Sequence, residues 1–163
     1  MAISKTLNAK LNEQIGNEFF ASQTYLAIAC MFEEMGLKML AKLFRKQTEE
    51  EREHALKILD FLPTVEGTVT IGAIPQPTAK YPSVLAAIEA SLEHERKVTA
   101  QFNELMTLAI KENDYAAQSF LKWFIDEQVE EVDQQIHLAQ VARMAGEHYL
   151  QLEAYVANAM LRG

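Results

Sequence analysis

A chain of 163 residues, 49% hydrophobic and 23% charged, is long enough for one packed domain and excludes a disordered or collagen-like polymer. Its net charge of −8 makes nucleic acid an unsuitable partner. No run reaches the roughly 18 apolar residues of a membrane span, Met1–Lys5 lacks a signal-peptide core, and the lone Cys30 cannot close an intrachain disulfide, so a soluble cytoplasmic protein is expected.

Four long segments carry apolar residues at helical spacing. The first runs from Ser4 to Glu34, with Leu7, Leu11, Tyr25 and Phe32 on one stripe, and Gly36 ends it. The second runs from Leu37 to Leu62 and is expected to stop at Pro63. The third is expected to start at Pro82-Ser83, where proline suits a first turn, and to reach Glu112. Asp114 is the expected N-cap of the fourth, which ends before Gly146. A short, amphipathic fifth helix is expected over residues 147–160, with Leu150, Leu152, Val156, Met160 and Leu161 seeking a partner surface.

All four prolines fall within the irregular segment 63–82. Twenty extended residues span up to roughly 66 Å, more than the roughly 40 Å length of a 27-residue helix. Short turns at Gly36 and Asn113 make the flanking helix pairs antiparallel, and the long segment leaves helices two and three parallel. The expected architecture is all-α: residues 1–163 as a single four-helix bundle with one crossover and a short fifth helix.

Polar residues interrupt each apolar stripe near its middle. Helix one steps through Leu11, Glu18, Tyr25 and Phe32; helix two through Phe44, Gln47, Glu51, His54 and Ile58. Helix three offers Glu95 between Leu92 and Thr99, and helix four offers Gln128, Glu131 and Gln135 between Phe124 and Leu138. Four carboxylates in one dry layer repel one another, and the stripes supply no lysine or arginine to offset them. Two divalent cations balance Glu18, Glu51, Glu95 and Glu131, and a histidine among carboxylates favours iron, manganese or zinc over calcium. A lone glutamate on such a stripe is more often a fraying edge; four in register with His54 are not.

Glu18, Glu51-Arg52-Glu53-His54, Glu95 and Gln128-Val129-Glu130-Glu131 resemble the dinuclear ferroxidase centre of ferritins of the haem-free bacterial type, over nearly the whole chain. On helix four, Gln128-x-x-Glu131 replaces the second Glu-x-x-His of bacterioferritins and rubrerythrins. Arg52 stands where bacterioferritins place their haem-ligating methionine, so no haem is implied. The resemblance implies that Glu18, Glu51 and His54 hold one iron, and that Glu51 bridges to a second held by Glu95 and Glu131 beside Gln128. Glu50, Glu127 and Glu130 match a third iron site, with a solvated acidic face as the alternative. Tyr25 matches a tyrosine that serves as hydrogen-bond partner and electron donor, with a satisfied core phenol as the alternative, and Trp123 lies near the helix-four ligands. The implied activity is oxidation of Fe(II) by O2 or H2O2 and storage of the ferric mineral inside a homo-oligomeric shell of 24 subunits. A rubrerythrin-like di-iron peroxidase that stores nothing is the alternative function.

Overall fold

The computed structural model describes residues 2–162. Four long helices, α1 (Lys5–Glu34), α2 (Lys38–Thr64), α3 (Val84–Lys111) and α4 (Tyr115–Ala145), precede a short α5 (Tyr149–Tyr155) that runs into a π-helical turn, Val156–Met160. No strand occurs among the described residues, and none of their helices is long and apolar enough to cross a membrane.

Local chemistry sets most boundaries. Ser4, Ser83 and Asp114 each accept a hydrogen bond from the backbone N–H three residues on, at 3.0, 3.0 and 2.9 Å, satisfying donors that the first turns leave free. Gly36 adopts φ +79°, a left-handed conformation that glycine takes without a Cβ clash, and closes the α1–α2 turn.

Three boundaries differ from expectation. Pro63 lies inside the last turn of α2 rather than stopping it; it costs the helix one backbone donor, and the helix ends one residue later, at Thr64. Pro82 lies outside α3, because the hydroxyl of Ser83 caps the helix and Val84 begins it. The fifth helix is not uniform: the Asn158 amide donates to the Ala154 carbonyl at 2.8 Å, competing for the acceptor an α-helical turn would use. The backbone widens there, and the Leu161 N–H bonds Val156 O at 3.1 Å.

The crossover lies along α1. Thr68 and Thr70 are held by the side chains of Asn8 and Asn12 near the start of α1, at 2.6–2.9 Å. At the other end Lys80 meets Glu34 at 3.1 Å, and the Tyr81 N–H reaches Met31 Sδ at 3.4 Å. The segment thus travels the length of the bundle and leaves α2 and α3 parallel. The core falls into two apolar halves. One joins Leu7, Leu11 and Ile15 to Ile58, Phe102 and Leu121; the other joins Ile28 and Phe32 to Leu40, Ile88 and Leu138. Between them lies a layer of buried polar side chains.

Candidate metal centre

All four helices of the bundle contribute to that layer. Glu18 comes from α1, Glu51 and His54 from α2, Glu95 from α3, and Gln128 and Glu131 from α4; none is more than 4% exposed. Each sits midway along an amphipathic helix whose flanking turns pack apolar side chains, so the polar group is carried into the interior by its neighbours' burial.

Two clusters share Glu51. Glu18, Glu51 and His54 each place one ligand atom within 4.8 Å of the others, and so do Glu51, Glu95 and Glu131. His54 Nδ1 stands 3.3 Å from Glu51 Oε2 and 3.6 Å from Glu18 Oε2. All three atoms are buried, and none has a properly directed hydrogen bond. Buried polar atoms are ordinarily paired, so three converging orphans fit a cation seated among them.

Five of the remaining carboxylate oxygens are held. Gln14 Nε2 donates to Glu18 Oε1 at 2.7 Å. Gln47 Nε2 donates to both Glu51 Oε1 (3.0 Å) and Glu131 Oε2 (2.7 Å), clasping α2 to α4. Tyr25 donates its hydroxyl to Glu95 Oε1. Gln128 Nε2 lies 3.1 Å from Glu95 Oε2 and 3.2 Å from Thr99 Oγ1, so its amide serves as a clamp on Glu95.

Electrostatics match this crowding. Burial, reinforced by neighbouring carboxylates, raises Glu51 and Glu95 above the usual carboxylate range and takes Glu131 up to about 9. Burial alone would lower His54, but the Glu18 and Glu51 carboxylates outweigh it and raise the imidazole to about 11. Without a cation, protons and an imidazolium hold down the charge of the layer.

The outer acidic residues divide. Glu127, half-buried, can bring an oxygen into a third cluster with His54 and Glu131. Glu50 is half-buried, 3.9 Å from Lys46; burial raises it, Lys46 lowers it, and Glu127 is among the charges acting on it. Glu130 is exposed and joins none of these clusters. Trp123 packs edge-on against His54, ring centroids 5.5 Å apart, with Lys57 Nζ over its ring.

Sequence reasoning placed Gln47 on the stripe without a role and passed over Gln14. A signal was present: Gln14 precedes Glu18 by one helical turn, and Gln47 precedes Glu51 by the same spacing.

Comparison with known proteins agrees with this architecture. Residues 8–144 match the ferritin-like domain family. The chain is 36% identical to ferritin BfrB of Mycolicibacterium smegmatis over 159 residues, covering 98% of this chain and 88% of that protein. It is 40% identical to a bacterial non-heme ferritin of Staphylococcus saprophyticus over 129 residues, 79% of this chain and 77% of that one. Among solved structures, an open pore ferritin from Archaeoglobus fulgidus superposes with a TM-score of 0.94 at 35% identity, covering 99% and 98% of the two chains.

Proposed function

The chain belongs to the ferritin family, and on that premise we propose that it is an iron-storage subunit that oxidises Fe(II) at the buried carboxylate layer and delivers ferric product to a mineral inside a closed homo-oligomer. The observation that carries the reading is the convergence of Glu18 Oε2, Glu51 Oε2 and His54 Nδ1, buried and without a directed hydrogen bond, at the point where the two clusters share Glu51.

Fe(II) is the substrate here. Glu18, Glu51 and His54 receive one ion, and Glu51, Glu95 and Glu131 a second; four carboxylates balance the charge of the pair. Loading displaces the protons that the raised carboxyls and His54 hold, leaving anionic and neutral ligands for the ions. Two ions together surrender two electrons to O2 or H2O2, and the added positive charge is offset by oxygen ligands from oxidant and water. Gln47, Gln128 and Tyr25 hold the carboxylates in place meanwhile. Glu127 and Glu50, half-buried beside the layer, offer a further stop for iron on its way out.

The surface supports assembly. Leu150 is 86% exposed and Met144 79%, an apolar pair around the start of α5 that a neighbouring subunit of a 24-mer would cover.

Anaerobic loading with two Fe(II) per chain, followed by O2, tests the reading when absorbance and particle size are recorded together. Rapid ferric absorbance in a particle near 24 subunits, with mineral accumulating at higher loading, is expected. Oxidation in a monomer or dimer that accumulates no mineral would point instead to a di-iron oxidase.

A further inference from the structure

Two cavities reach a glutamine that touches the carboxylate layer, and they lie on opposite flanks of the bundle. One, of about 290 Å³, opens between α2 and α4 and has Gln47 in its lining. The other, of about 270 Å³, opens between α1 and α3; Thr6, Lys10, Glu13, Gln101 and Glu104 surround it and Gln14 lies within. Glu18 itself lines neither cavity, and its Oε1 is bonded to Gln14.

The two glutamines are held differently. Gln47 bridges Glu51 and Glu131, so moving it breaks two bonds to the layer and unclasps two helices. Gln14 makes one bond to the layer. Its other partners, Gln101 Oε1 at 3.2 Å and Asn17 Nδ2 at 3.1 Å, lie on the cavity side. Turning the Gln14 amide toward Gln101 frees Glu18 Oε1 while one of its amide hydrogens stays bonded. The rim suits a cation as well: its single lysine, Lys10, faces two carboxylates, Glu13 at 2.9 Å and Glu104, so the rim is net negative.

We propose that Gln14 is the gate through which a divalent cation reaches the carboxylate layer, by way of the cavity between α1 and α3. The inference rests on the metal-binding reading above and adds the route and the residue that controls it. In the closed position the amide covers Glu18 and keeps water from the layer. In the open position Glu18 Oε1 faces the cavity, and the amide carbonyl offers a neutral oxygen that hands the ion inward.

Co(II) added to the assembled protein in a stopped-flow instrument, read by quenching of Trp123, follows arrival, because the Trp123 ring stands beside His54. Titration calorimetry gives the number bound. Gln14→Leu keeps the bulk but cannot turn to offer a bond, and should slow arrival at least tenfold with two ions still bound at the end. Gln14→Ala removes the plug and should speed it. Thr6→Phe, at the exposed rim and touching none of the layer residues, should slow arrival several-fold with unchanged affinity. Gln14→Leu and Gln14→Ala slowing arrival alike, or wild-type rates in both Gln14→Leu and Thr6→Phe, overturns the gate while the metal site stands. Failure of the wild-type protein to bind Co(II) at all overturns both.

Discussion

Tyr25 donates its hydroxyl to Glu95 Oε1, joining α1 to α3 across 70 residues of sequence and anchoring one wall of the carboxylate layer. Burial, together with Glu95, raises the phenol well above its usual range, so it stays a donor at every physiological pH. Tyr25→Phe leaves a buried carboxyl short of one partner, at a cost of about 1–3 kcal/mol. The metal-free melting temperature should fall by several degrees. Fe(II) oxidation should slow less than in His54→Ala, since Glu95 remains present; calorimetry and stopped-flow absorbance check the two halves.

The metal-free protein should lose stability as pH rises. Glu51, Glu95 and Glu131 titrate above the unfolded value of 4.5, so between that value and about 9 the folded chain holds protons the unfolded chain has released. His54, raised to about 11, acts in the same sense above its ordinary 6.5. Scanning calorimetry in chelator should therefore show the melting temperature falling from pH 5 to pH 9. Glu131→Gln should flatten the slope. A melting temperature that climbs over this range would contradict the crowded layer.

Cation loading should release acid. With His54 and the raised carboxyls protonated at pH 7, binding two ions should free about three protons per chain, measured calorimetrically in two buffers of different ionisation enthalpy. His54→Ala should release one proton fewer and slow Fe(II) oxidation by at least about tenfold, the lower bound for losing even an outer partner of a metal site. Its helical circular dichroism should be unchanged, because the ring is one packed group among many.

Glu153 of α5 caps another helix. Its two oxygens accept from the Met39 and Leu40 N–H groups at 3.0 and 2.7 Å, where Leu37 supplies no side-chain cap for α2. Glu153→Ala should cost about 0.5–2 kcal/mol, the usual loss for a cap, and release α5. Light scattering should show smaller particles at equal concentration, while the bundle keeps its helical signal.

The order of helices, the turn at Gly36, the cap at Asp114, and the burial of Glu18, Glu51, His54, Glu95 and Glu131 were legible in the sequence. Each is a local matter: the spacing of apolar residues selects the buried face of one helix, and a cap or a glycine acts within one turn. The length of the segment 63–82 likewise implied a crossover by reach alone. The partners of each polar atom were not legible. That Tyr25 bonds Glu95 on α3, that Gln47 clasps Glu51 to Glu131, and that Glu153 caps α2 depend on how neighbouring helices are rotated and shifted against each other. Periodicity along one helix carries no information on that phase. The interlocking of the two apolar core halves sets it, and the same packing leaves Glu18 Oε2, Glu51 Oε2 and His54 Nδ1 facing one another without a directed hydrogen bond.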